Sequence, residues 1–261
     1  IKNNISRLYN YKVEEGTKVV LILYKQNDGN MIWDVYGYDR SSMIYVLAGI
    51  FIIVVIIIGG VKGIKSLVSL MFTLVTVIFL MLPLMFRGVE PMLAAVVSAT
   101  LSIIVTLSLV SGINKKTVTA IIGTISGVVI SGIIAYIFGE LTHSSGMTMN
   151  DTESLIYIAE GTNLKVKGIM FAGILIASLG AVMDVAMSIS SSLFEIYEVN
   201  KNIKQIDLFK SSMNIGKDII GTMTNTLILA FAGGSITTLI LIFAANMPYN
   251  KFINLEVLAI E

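Results

Sequence analysis

The chain has 261 residues, 55% of them hydrophobic and 13% charged, with a formal net charge of +1 and a mean hydropathy of +0.85. That composition lies outside the range of soluble globular domains and identifies an integral membrane protein whose first partner is the lipid bilayer. The near-neutral charge gives no basis for nucleic-acid binding, and the absence of cysteine removes disulfides and thiolate metal sites.

In chain order, the sequence opens on Ile1 without a basic-then-apolar leader, which reads as part of a longer protein with its amino-terminal region missing. Residues 1–42 alternate rather than run apolar. Lys18 to Tyr24 is rich in Val and Ile, and Asp28-Gly29 offers a hairpin turn. This segment is the expected end of a small extracytoplasmic β domain, with Trp33, Tyr36 and Tyr38 forming an interfacial aromatic belt. A spanning helix needs about 20 apolar residues, and six windows meet that need: 43–61, 66–85, 91–111, 117–139, 168–190 and 222–246. The expected class is therefore an all-α polytopic membrane bundle of about six spans over 43–246, preceded by the end of the β domain. Residues 247–261 form an extracytoplasmic interfacial segment leading toward a further span that the sequence does not contain.

Lysine fixes the expected orientation. Lys62 and Lys65 follow the first window, Lys115 and Lys116 the third, and Lys201, Lys204, Lys210 and Lys217 the fifth. The positive-inside rule places those loops in the cytoplasm and residues 1 and 261 outside the cell membrane. The acidic 140–167 loop, with Glu140, Asp151, Glu153 and Glu160, agrees.

Several short motifs carry no chemistry. GGVKGIKS at 59–66 fails the phosphate-loop spacing because Ile64 separates Gly63 from Lys65, leaving a basic turn shaped by glycines. Pro83 and Pro91 end the second window and start the third, with Arg87 and Glu90 placed to pair between them. His143 is a lone solvated histidine in the 140–167 loop. No Ser/His/Asp set or paired carboxylates lie outside the membrane, so no enzyme, cofactor or metal is expected.

The polar residues within the spans do carry chemistry. Gly173, Ala177, Gly180, Asp184, Ser188, Ser191 and Glu195 recur every three or four residues and so share one helix face. The small members permit close helix approach. An ionised Asp facing lipid at mid-membrane costs ~2.5–3.5 kcal/mol, so Asp184 is expected to face the bundle interior. Asp218, Thr222, Asn225 and Leu229 form a second stripe, with Thr226 beside it and Gly233 and Gly234 deeper. If the two stripes meet, Asp184, Asp218, Ser188, Thr222, Asn225 and Thr226 form an oxygen-only set suited to protons or hard cations. Two nearby carboxylates would raise one pKa and make it a proton carrier. Helix glue, with Asp184 bonded to Asn225 or Lys217, is the competing reading.

The blocks YDRSSMI, LPLMFRG, LGAVMDVAMSISSSLFE and SSMNIGKDIIGTMTNTLILAFAGGS resemble the YibE/F family of bacterial multispanning membrane proteins along nearly the whole chain. That resemblance implies a β domain followed by a helical bundle. The layout of GAVMDVAMSISSSLFEIYE followed by IGKDIIGTMTNTLILAFAGG is also similar to SecD/SecF and RND-type permeases. This second likeness implies a proton-relay role at Asp184 and a threonine pair at the position occupied here by Thr224-Asn225-Thr226. One six-span unit would then need a homodimer or a paralogous membrane partner. Two functions follow as expectations: a proton- or cation-coupled transporter or export device, or a non-transporting membrane scaffold whose extracytoplasmic domain binds a partner or envelope component.

Overall fold

The computed structural model describes residues 14–25, 31–142, 152–246, 248 and 250. The chain divides into two compact units, residues 1–64 and 65–261.

In the first unit, β1 (Val19–Lys25) pairs antiparallel with β2 (Met31–Tyr38), from Val19 opposite Tyr38 to Lys25 opposite Met31. A register shift between Val20 and Leu21 interrupts the ladder. The expected turn at Asp28-Gly29 lies outside the described residues, as does the Trp33 side chain; Tyr36 is exposed. Asp39 starts the following helix by accepting the Ser41 backbone N–H at 3.0 Å, and the Ser41 hydroxyl also donates to it. These bonds hold the Asp39 carboxyl below the usual carboxylate range.

Helix α1 (Ser41–Thr76) continues through a π-helical turn at Val77–Met81 into α2 (Leu82–Phe86). This apolar stretch of 46 residues would measure ~69 Å as a straight helix, about twice a hydrocarbon core. It is not straight. Gly60 adopts φ 53 and ψ −134, a region open to glycine but strained for other residues. The bend is sharp enough that a β-carbon on Gly63 would overlap the Val55 carbonyl oxygen, although eight helical residues span ~12 Å along an unbroken axis. The first expected span, 43–61, reaches this break in its last two residues, and the second, 66–85, follows it.

Proline explains the π turn. Pro83 has no N–H to donate four residues back and its ring crowds that carbonyl, so the preceding turn widens and the Leu82 N–H donates to the Val77 carbonyl, five residues back. The helix then ends on Gly88 at φ 88, with Gly88 N–H bonded to the Met85 carbonyl and Val89 N–H to the Leu84 carbonyl. That pair of bonds is a Schellman closure. Among the described residues, Lys167 pairs with Glu140 and Lys201 with Glu198, whereas the expected Arg87–Glu90 pair is not formed.

The core of the second unit is built by α3 (Pro91–Ser111), α4 (Lys115–Leu141) and α6 (Ile169–Val199), each packed on the other two. Small side chains make it possible. Ala94, Ala95, Ser98, Ala99 and Ser102 of α3 are fully or almost fully buried, as are Ala120, Thr124 and Val128 of α4. Without bulky side chains between them, the backbones approach closely and gain dispersion contacts, the principal attraction available in lipid. Asn114 caps α4 by accepting the Thr117 backbone N–H at 2.9 Å.

A short helix α5 (Thr152–Glu160) precedes α6 in the 140–167 segment, and α7 (Gln205–Gly234) packs against α6. The sixth expected span, 222–246, is not continuous: α7 ends at Gly234 and α8 (Ile236–Ala244) begins after Ser235. The first half of α7 is polar, carrying Asp207, Lys210, Lys217 and Asp218. Among the described residues, four helical stretches are therefore long and apolar enough to cross a membrane: Ser41–Phe86, Pro91–Ser111, Lys115–Leu141 and Ile169–Val199.

Candidate functional site

Helix α6 buries one face and exposes the other. Ala172, Leu175, Leu179 and Ser190 point into the core. At 3.6 residues per turn, most of the predicted stripe lies away from that face: Gly173, Ala177, Gly180, Asp184, Ser188 and Glu195 are exposed, whereas Ser191 is half-buried. A β-carbon on Gly173 or Gly180 would meet no atom within 4 Å. The expectation that Asp184 faces the interior of the chain's own bundle therefore fails. Its carboxylate stands midway along α6, on the outward face.

The second stripe behaves in the same way. Helix α7 turns Gly216 toward α6, where a β-carbon would lie 3.5 Å from Ile189 Cδ1, while Asp218, Thr222, Asn225 and Thr226 are exposed on its far side. The two helices are neighbours, as expected, but the polar stripes do not meet. Thr222 donates its hydroxyl to the Ile219 carbonyl at 2.9 Å and Thr226 donates to the Thr222 carbonyl at 3.2 Å. These local bonds satisfy the hydroxyls along the helix. Gly233 and Gly234 are exposed, and a β-carbon added at either would have no atom within 4 Å. Among the described residues no group of three His, Cys, Asp or Glu side chains could hold a metal ion, and His143 lies outside them.

Besides Gly216, glycines on α4 mediate packing. A β-carbon on Gly139 would lie 2.7 Å from the Phe171 ring, and one on Gly132 would lie 3.5 Å from Val96 and 3.7 Å from Leu175. Sequence reasoning also missed what the serine run does. Ser190 donates its hydroxyl to the Lys116 carbonyl at 2.7 Å, and Lys116 Nζ donates to the Ser191 hydroxyl at 3.2 Å. Two of the three consecutive serines thus tie the lower part of α6 to the first turn of α4. The signal available was their polarity inside an apolar run, read against the lysine pair that opens α4.

Two cavities flank these contacts. One, of about 510 Å³, opens between α4, α6 and α7 and is walled by Gly123, Val185, Ile189, Met223 and Leu227. The other, of about 360 Å³, lies at the opposite end, where Glu140, Lys165, Lys167 and Phe171 contribute to its wall. Lys167 Nζ donates to Glu140 Oε1 at 2.6 Å, and this bond raises the Lys167 pKa above the ordinary lysine value.

Long apolar helices around a core of small residues, with the Asp184 carboxylate exposed midway along α6, define a polytopic helical membrane protein. Residues 47–261 match the family described as YibE/F-like protein, and the chain belongs to the YibE/F family. No curated protein and no solved structure matches it.

Proposed function

We propose that the protein is a proton- or cation-coupled transporter or export component of the cell membrane, with Asp184 as the coupling carboxylate. In this reading the chain crosses six times, with residues 1 and 261 outside, and a second copy covers the outward face of α6. The observation that carries the proposal is the position of Asp184. It lies midway along an apolar helix, exposed, on a face of small residues. A charge left there in lipid costs ~2.5–3.5 kcal/mol, and an intramembrane ionisable group is retained where it meets a partner or an ion path. Gly173, Ala177 and Gly180 on the same face would let another helix approach closely. The sequence layout resembles that of SecD/SecF and RND-type permeases, apart from Thr224-Asn225-Thr226 in place of adjacent threonines, and that resemblance supports a proton-relay assignment. Asp218 lies on the far side of α7 and joins Asp184 only if a neighbouring copy brings the two faces together.

The test uses purified protein reconstituted into vesicles that contain a pH-reporting dye, under an imposed ion gradient. Asn keeps the shape and hydrogen-bonding capacity of Asp but cannot switch charge. Asp184→Asn should therefore insert and fold as the wild type does yet abolish gradient-driven proton movement. Wild-type flux in the Asn variant would exclude Asp184 as the carrier and favour the membrane-scaffold reading.

A further inference from the structure

Midway along α6 is not midway between the charged ends of the bundle. Asp184 stands ~22 Å along the helix axis from Ile169, where α6 begins just after the Lys167–Glu140 pair. In the other direction Ser191 is only ~10 Å away, and there the Lys116 ammonium donates to the Ser191 hydroxyl at 3.2 Å. Lys115, Lys201 and Lys204 belong to that same end. The carboxylate is therefore about two helical turns from the lysine-rich end and about four from the opposite one.

The face of α6 that carries Asp184 also changes character at that residue. Toward the start of the helix, Gly173, Ala177 and Gly180 offer no polar side-chain atom. Toward the lysine-rich end, Ser188 and Ser191 continue the same face at steps of four and three residues. Lys116 belongs to α4 yet reaches this face of α6; it is half-buried, and among the described residues its ammonium forms no ion pair, with Glu195 one turn beyond Ser191 or with any other carboxylate. Hydroxyls give water and ions hydrogen-bonding partners along a path, and a fixed charge at its mouth selects by sign. A face of glycine and alanine offers neither. We propose that Asp184 is reached from the lysine-rich end alone, along a polar lane formed by Ser188 and Ser191, and that Lys116 at its mouth makes the lane unfavourable to metal cations. This inference rests on the coupling role proposed for Asp184 and names the side from which its ion arrives, the cytoplasmic side in the six-span reading.

The test exploits the cysteine-free chain. Ser188→Cys and Gly180→Cys each place a thiol one turn from Asp184, on its two sides along the same face, and a β-carbon at Gly180 meets no atom within 4 Å. The full chain is labelled in membrane vesicles of each orientation with two impermeant methanethiosulfonates of similar size, one anionic and one trimethylammonium, and each rate is normalised to that of a free thiol. Ser188→Cys should react only where the lysine-rich end faces the reagent, and Gly180→Cys from neither side. At Ser188→Cys the anionic reagent should be favoured. Adding Lys116→Gln should lower that preference by about threefold, the effect of one charge several ångströms away in a wetted path, whereas Lys116→Arg should retain it. Labelling of Gly180→Cys from the opposite side, an unreactive Ser188→Cys, or an unchanged preference in Lys116→Gln would overturn the proposal. Because labelling requires no transport, a wild type that moves no protons while the variants label as expected supports the lane and counts against the coupling reading alone.

Discussion

Gly63→Ala should lower the unfolding free energy of the helical region by about 3 kcal/mol, at the upper end of overpacking effects, whereas Gly59→Ala four residues earlier should be neutral or stabilising. The added methyl at 63 would overlap the Val55 carbonyl oxygen and sit 3.1 Å from its carbon. Both are backbone atoms, so no rotamer change can relieve the overlap; the bend at Gly60 must open. At Gly59 a methyl meets nothing within 4 Å, and Ala has the higher helix propensity. Thermal melting of the two purified variants in the same detergent distinguishes these outcomes. Equal melting temperatures would mean that residues 55 and 63 do not come together, and that the 46-residue stretch has no sharp bend at Gly60.

The second large effect separates two glycines that look alike in sequence. Gly139→Leu should destabilise the monomer by about 2–3 kcal/mol, because even the first added carbon would lie 2.7 Å from the Phe171 ring and the rest must displace it. Gly180→Leu should leave monomer stability unchanged, since that position is exposed and its β-carbon meets no atom. Its effect belongs to assembly. Melting in detergent at low protein concentration reports the first, and the oligomer population at high concentration reports the second. A destabilised Gly180→Leu monomer would show that the α6 stripe packs within the chain, as the sequence pattern alone suggests.

Apolar length makes most of the helices legible. The window 91–111 coincides with α3, and 117–139 lies within α4, because the need to cross a bilayer with every backbone group bonded leaves little choice of structure. The strand read from Lys18 to Tyr24 is displaced by a single residue from Val19–Lys25. The direction of each face is harder to read. Gly173, Ala177 and Gly180 on α6 have the same spacing logic as Ala120, Thr124, Gly132 and Gly139 on α4, yet only the α4 set is packed within the chain. Small-residue periodicity says that a helix can be approached closely and says nothing about which helix approaches. Desolvation of Asp184 leaves the same gap, since it requires cover without requiring that the cover come from the same chain. The sixth span is obscured for a different reason: hydropathy averaged over 222–246 hides both the break at Ser235 and the long polar lead-in from Gln205.

Ion coupling at Asp184 requires that the outward face of α6 meet a second copy. Because the chain has no cysteine, a single introduced thiol reports that contact unambiguously. Ala177→Cys, on the exposed face, should give a disulfide-linked dimer on mild oxidation in native membranes, while Leu179→Cys, only 2% exposed in the core, should remain monomeric. A monomer at position 177 under conditions that oxidise a control membrane dimer would contradict this arrangement and leave Asp184 without the partner that the proposed ion coupling requires.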